Sequence, residues 1–327
     1  MKPRLPHPRS PLTRALDRGA ARAAALLILT LFPVGLLSAD PVAFALHVRP
    51  ARGFALCRIE TGALPASPAA TISRDTGEFS IHNLARDFLK DAGQIWSYPF
   101  HIRTDDILPI IGLAAVMGVL IAKDEPIFRG FKDYTDDHEW VQDASPVITK
   151  MGSWGAWATA GLFLGVGLIG GDHRPAETGV LAATAMAESS LLVWFLKGMT
   201  GRQRPSYADG VDHWSGPAGF FKRYEQGYKD AYDAFPSGHA ITAFSLATVV
   251  AMEYHETVWV PILSYAVATG VGLSRVTLSR HWLSDVVVGG VLGHLIGRLV
   301  VRNHRRKYHA VPAVSVSPRS LSLTFSF

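Results

Sequence analysis

Lys197-Gly198-Met199-Thr200-Gly201-Arg202-Gln203-Arg204-Pro205, then Pro236-Ser237-Gly238-His239, then Ser274-Arg275 with His281 and Asp285 beyond, are three short polar stretches set where apolar runs end. Between the second and the third lie two apolar segments, about 238–254 and 256–275, each long enough for several helical turns. Paired as an antiparallel hairpin, they bring the end of the second back to the start of the first. The same alternation carries the end of the preceding segment, 178–197, and the start of the following one, 283–302, to that level. Lys197, Arg204, Arg275, His239 and His281 are therefore expected to converge on one pocket.

Such a pocket has a chemical reading. Lys197, Arg204 and Arg275 match the charge of a phosphoryl group, and the arginines can do so with bidentate geometry. Pro236-Ser237-Gly238 opens a helix, whose first N–H groups and dipole add an anion site, with Gly238 allowing close backbone approach. His281 and Asp285 are four apart on one helical face, so the carboxylate is expected to fix the imidazole tautomer and free the other nitrogen to attack phosphorus. His239 is left as the general acid for the leaving oxygen, a role contributing ~10²–10⁴-fold. Nothing in this set calls for a metal or another cofactor. Taken singly, basic residues at helix ends are usually solvated anchors, and a lone histidine is usually a structural hydrogen-bonder. It is the ordered set that points to chemistry. His213, His255 and His294 stand outside it and read as structural.

The pattern Lys-x6-Arg-Pro, Pro-Ser-Gly-His, Ser-Arg-x5-His-x3-Asp resembles the signature of the type 2 phosphatidic acid phosphatase superfamily, which also contains bacterial acid phosphatases and vanadium haloperoxidases. All three parts match without substitution, over roughly residues 105–305. The resemblance implies an all-helical core, a phosphohistidine intermediate on His281 and no metal requirement among the phosphatase members.

Composition places the chain in a membrane or tightly packed helical class. It has 327 residues, 48% of them hydrophobic, and a mean hydropathy of +0.18. The net charge of +5 reflects basic residues at the two ends and in the signature, and no nucleic-acid module is present. Cys57, the single cysteine, excludes an intramolecular disulfide framework and a cysteine-rich metal site.

In chain order, Lys2, Arg4, Arg9, Arg14, Arg18 and Arg22 precede the apolar run Ala23 to Leu37 and then Ser38-Ala39-Asp40, so residues 1–39 read as a signal peptide or an uncleaved N-terminal anchor. Residues 40–104 read as a partly disordered extension, with an amphipathic helix near 80–95 carrying Leu84, Phe88 and Leu89. Residues 105–305 form the phosphatase-like helical domain, and 306–327 a tail whose alternating Leu321, Leu323, Phe325 and Phe327 admit a small β-hairpin. The expected fold is all-α: a transmembrane six-helix bundle from segments near 106–122, 153–170, 178–197, 238–254, 256–275 and 283–302. The first, with Pro109, is the weakest candidate span. Glycines such as Gly161, Gly165, Gly167 and Gly170, and Gly289, Gly290, Gly293 and Gly297, suit close helix packing in lipid.

Charge asymmetry sets the topology. Residues 123–152 hold four Lys/Arg and seven Asp/Glu, whereas the last segment ends in Arg298, Arg302, Arg305, Arg306 and Lys307. The positive-inside rule puts that tail in the cytoplasm and the signature on the periplasmic side. Parity opposes this: an N-terminal run that carries the chain across, followed by six spans, puts the tail outside. Either the N-terminal run does not cross, or one segment does not span, or the bundle is a periplasmic protein lying on the membrane. The insertion 206–235, rich in Tyr, Trp and Phe among charges, reads either as a lid that grips a lipid chain or as a capping loop packed for stability. Three function classes follow: an envelope phosphatase acting on a lipid phosphate or diphosphate, a vanadium haloperoxidase, and a non-enzymatic transporter or scaffold.

Overall fold

The computed structural model of the chain describes residues 81–208, 212–222, 230–308, 311–317 and 320–326. The signal or anchor segment, Cys57 and the extension as far as residue 80 lie outside the described residues, as do residues 209–211 and 223–229 of the insertion. Nine α-helices are present among the described residues: α1 (Ile81–Ser97), α2 (Thr104–Asp136), α3 (Glu139–Ile148), α4 (Trp154–Gly170), α5 (His173–Thr200), α6 (Gly216–Lys222), α7 (Gly238–Glu253), α8 (Trp259–Thr277) and α9 (Leu283–Tyr308). Two strands, β1 (Val311–Ser317) and β2 (Ser320–Ser326), pair antiparallel with Val314 opposite Leu323.

Local chemistry sets the helix ends that matter. The Asp172 carboxylate accepts the Arg174 backbone N–H at 3.0 Å and so caps α5. Gly201, at φ 50°, ends the same helix by returning its N–H to the Lys197 carbonyl. A side chain on Gly201 would also meet the Gly216 carbonyl oxygen at 2.0 Å, so this turn packs α5 directly against the start of α6. Ser237 caps α7, its hydroxyl accepting the Ala240 N–H at 3.4 Å.

Helix α7 is the centre of the bundle and packs against α5, α8 and α9. Its contact with α9 is the closest, and it is made by glycine. A Cβ on Gly289, Gly293 or Gly297 would lie 2.7 Å from the Ser237 carbonyl oxygen, 2.3 Å from that of Ile241 and 2.9 Å from that of Ser245. Both series advance by four, so one face of α9 runs along one face of α7 with almost backbone-to-backbone contact. The other glycine series behaves differently. Gly167 abuts Ala176, but Gly161, Gly165 and Gly170 face open space. The reason is that α4 meets α5 only along the face of Ala156, Ala160 and Gly167 and leaves Leu162, Val166, Leu168 and Ile169 exposed.

Helix α1 occupies the expected place and is amphipathic, with Phe88 half-buried. Leu84 and Leu89 are exposed, whereas Asp91 is buried and Ile95 packs on the main core. Asn303 of α9 donates to the Asp91 carboxylate at 2.6 Å, which fixes that face. Burial raises the Asp91 pKa from 3.8 to about 6.

The six apolar stretches fall in α2, α4, α5, α7, α8 and α9. By length and composition α2, α5 and α9 can cross a membrane, and α3 with α4, bent by 48°, would add a fourth span if counted as one. The segment with Pro109 is therefore no weak candidate: it continues to Asp136 as a 33-residue helix. Exposed Ile107, Leu108, Val119, Leu168, Trp194 and Ile262 give the bundle a broad apolar exterior.

The α7–α9 seam yields a first test. Gly293→Val places branched carbons where backbone now lies 2.3 Å away, and overpacking of this kind costs about 1–3 kcal/mol or more. Thermal unfolding in detergent should show a clear fall for Gly293→Val and none for Gly161→Val, whose position is open.

Candidate active site

The site forms at the end of the bundle where four helices start or stop. Lys197 comes from the last turn of α5, His239 from the first turn of α7, Arg275 from the last turn of α8 and Asp285 from the first turn of α9. Arg204 and His281 sit on the connecting segments. Backbone bonds lock these segments together. Arg204 N–H donates to the Ala231 carbonyl at 2.8 Å, Ala234 N–H to Arg202 at 3.0 Å, Ser206 N–H to Ser279 at 3.2 Å and Ser237 N–H to Asp285 at 3.0 Å. The three signatures thus share one hydrogen-bonded platform.

His281 is 1% exposed. Its Nδ1 lies 2.6 Å from the Ala234 carbonyl oxygen, so Nδ1 carries the proton and Nε2 keeps the lone pair. Burial lowers the His281 pKa well below its usual value, and the Arg204, Lys197 and Arg275 cations push in the same direction. The same three cations act electrostatically on His239. All five predicted residues are therefore brought together.

Asp285 differs from expectation. Its Oδ2 is 3.6 Å from His281 Nδ1, too far for a hydrogen bond, and instead accepts the Trp282 backbone N–H at 2.9 Å. Its Oδ1 takes a guanidinium N–H from Arg202 at 2.5 Å. The tautomer of His281 is fixed by a backbone carbonyl, and Asp285 adds a nearby negative charge. The reason is competition: a fully buried carboxylate is drawn to a cation and a backbone donor that a neutral imidazole cannot match.

Ser237 also differs. It is fully buried, its hydroxyl is spent on the α7 cap and its N–H on Asp285. By capping α7 it fixes the direction of the first-turn N–H groups of Gly238 and His239. A side chain on Gly238 would meet only Val193, at 3.7 Å, so that backbone is not crowded by protein.

Several site residues carry no expectation from sequence. Arg202, inside the first signature, is completely buried among Asp124, Asp212, Ser284 and Asp285. Its contacts are 2.7 Å to Asp124 Oδ2, 2.9 and 2.6 Å to the two Asp212 oxygens, 2.7 Å to Ser284 Oγ and 2.5 Å to Asp285 Oδ1. Burial alone would lower its pKa, but the carboxylates of Asp285, Asp212 and Asp124 outweigh that and hold the guanidinium charged. Trp214 and Trp282 flank it at 4.5 and 5.3 Å. Asp233 takes the Arg204 Nε–H at 2.7 Å and lies 3.5 Å from Lys197 Nζ. Thr149, from the 3₁₀ turn Thr149–Gly152, accepts from Arg275 at 2.8 Å. The Nε–H of Arg275 is buried with no acceptor among the described residues, so the cradle retains an unused donor.

The described part of the 206–235 insertion folds beside this platform. Asp212 and Trp214 bind Arg202, and Phe220 of α6 is buried, whereas Tyr207, Trp214 and Phe221 keep exposed aromatic surface.

Truncating Arg202 tests the platform. Arg202→Gln leaves Asp124 and Asp285 buried without their cation, a loss of about 3–5 kcal/mol. A large drop in melting temperature is expected, and Arg202→Gln, Asp124→Asn together should recover part of it.

Comparison with known proteins finds similarity over the part of the chain that carries the signatures. The PAP2 superfamily model matches residues 178–309. The chain is 43% identical over 70 residues to lipid A 1-phosphatase of Porphyromonas gingivalis, a match covering 21% of this chain and only 16% of that protein. It is 27% identical over 170 residues to phosphatidylglycerophosphatase B of Bacillus subtilis, covering 49% and 74% of the two chains. Among solved structures, LpxE of Aquifex aeolicus aligns with a TM-score of 0.41 at 21% identity, covering 54% of this chain and 93% of that one. The transmembrane PAP2 type phosphatidylglycerolphosphate phosphatase of Bacillus subtilis aligns with a TM-score of 0.43 at 23% identity, covering 69% and 96%. The segment 178–309, which carries all three signatures, is thus the part of the chain that resembles the PAP2 superfamily.

Proposed function

We propose that the protein is a membrane lipid phosphatase that hydrolyses a phosphate ester through a covalent phosphohistidine on His281. The observation that carries this is the pairing of a buried imidazole, protonated on Nδ1 by its bond to the Ala234 carbonyl, with the three cations Arg204, Lys197 and Arg275 that act on it. In the first step His281 Nε2 attacks phosphorus, the bond from phosphorus to the lipid oxygen breaks, and His239 gives its proton to that oxygen. In the second, His239 takes a proton from water, the hydroxide attacks phosphorus, the P–N bond breaks and phosphate leaves. Lys197, Arg204, Arg275 and the first N–H groups of α7 hold the phosphoryl oxygens, so no metal enters the scheme.

A lipid substrate is supported by the apolar exterior beside the site and by the names of the relatives, one acting on lipid A and the other on phosphatidylglycerophosphate. The cationic end of α9, with Arg305, Arg306 and Lys307 in its last turn, supports a cytoplasmic tail and a periplasmic site. A surface-bound periplasmic bundle is the competing arrangement.

Two measurements test the mechanism. In buffer containing a chelator, wild-type protein given a radiolabelled phosphate ester and quenched in mild alkali should retain label, and His281→Ala should retain none. Label that survives the substitution overturns the assignment. His239→Ala should slow release from an alkyl phosphate by at least about 100-fold while affecting a nitrophenyl phosphate far less, because a good leaving group needs no proton in the transition state. Equal losses on both substrates would count against the acid role.

A further inference from the structure

The three signature cations do not face the site as three free charges. Asp233, 7% exposed, is bonded to Arg204 through Nε and lies against Lys197, while Arg275 donates to the neutral Thr149 hydroxyl and has no carboxylate in ion-pair contact among the described residues. The other carboxylate close by, Asp285, is taken by Arg202 and the Trp282 N–H. The cradle formed by Lys197, Arg204, Arg275 and Asp233 therefore carries two net positive charges.

This count has a chemical consequence. A terminal phosphomonoester is close to a dianion at neutral pH. A diphosphate ester carries one negative charge more, which a three-cation cradle would match better. The grip on Arg204 is also directional: with Nε held by Asp233, the two terminal nitrogens are the ones left to fork onto phosphoryl oxygens. The Lys197 contact, at 3.5 Å, is the weaker of the two.

Resting on the phosphatase reading above, we propose that Asp233 is a specificity-determining residue: it trims the charge of the cradle to fit a phosphomonoester and disfavours diphosphate esters. Its charge does this, while its oxygen on Arg204 Nε keeps the guanidinium oriented. Asp233→Asn separates the two, since the amide oxygen still accepts from Nε but the charge is gone.

The test is a ratio, so a general loss of activity cancels. Full-length protein in detergent is given dioctanoyl phosphatidic acid and farnesyl diphosphate, and kcat/KM is measured for each. Binding of inorganic phosphate and of pyrophosphate is followed by calorimetry in parallel. In Asp233→Asn the diphosphate-to-monoester ratio should rise about tenfold, equivalent to about 1.4 kcal/mol, and pyrophosphate should gain affinity over phosphate to a similar extent. Unchanged ratios in a variant that melts like wild type overturn the proposal, as does a ratio that falls. If wild type hydrolyses neither lipid, the catalytic reading fails, and the calorimetric ratio still decides the claim about charge. Should Asp233→Asn not fold, Arg275→Gln reads the same rule in the opposite direction: with one cation fewer, the pyrophosphate-to-phosphate affinity ratio must fall, and an unchanged ratio refutes the charge rule.

Discussion

One buried guanidinium holds the site end of this bundle together. Arg202 has no exposed surface and spends its donors on Asp124 from α2, Ser284 and Asp285 from α9, and Asp212 from the insertion. Asp124 in turn accepts the Ser284 N–H at 3.0 Å and the Ser284 hydroxyl. Burying such a set costs several kcal/mol per ion, so the network is not there for stability in any simple sense. What it supplies is uniqueness. The partners come from segments separated by about eighty residues, and only one relative placement of α2, α9 and the insertion satisfies them all.

That placement is what shapes His281. Arg202 pulls the Asp285 carboxylate away from the imidazole, and the 231–234 segment, paired with 202–204, presents the Ala234 carbonyl in its place. A neutral acceptor holds Nδ1–H without the charge that would favour an imidazolium. The ring thus remains a neutral base beside three cations, which is the state that the proposed attack on phosphorus requires. An Asp285 bonded directly to Nδ1 would work against the burial and the three cations that keep the ring neutral.

Legibility from sequence followed a physical line. Lys197, His239 and Arg275 were readable because each sits at the end of an apolar run, with Arg204 and His281 on the segments just beyond such ends, and helix alternation brings those ends together. The glycine seam of α9 was readable from its spacing of four. The amphipathic helix α1 was readable from its pattern, but in a bundle with an apolar exterior Leu84 and Leu89, both exposed, carry no information about which side is inside. Gly161 and Gly165 misled for a related reason: a small residue permits close approach but does not require it. Asp233, Asp124 and Asp212 were illegible because they reach the site through loop conformation and non-local pairing. Neither leaves a period in the sequence. Asp285 was found but given the wrong partner, since spacing of four shows that His281 and Asp285 are near and says nothing of a stronger competitor.

Three cations at the tail end are paired in a way those at the site end are not, and this bears on how a site of this kind can exist in a low-dielectric setting. At the tail end Arg174 meets Glu256 at 2.6 Å, Arg305 meets Glu253 at 3.2 Å and Lys307 meets Asp87 at 2.7 Å, so each of these cations has a carboxylate of its own. They are partly exposed, and such pairs contribute little beyond local order. At the site end Lys197 and Arg204 share Asp233, and Arg275 has a hydroxyl and an unused N–H. The excess of positive charge at the site end is an electrostatic cost that the fold bears. It is sustained because the platform of backbone bonds and the Arg202 network fix the cations in place and leave them no way to relax apart. An anion with matching charge would remove that cost as it binds, so the same constraint that makes this end expensive to build supplies the affinity for a phosphoryl group that the proposed function requires.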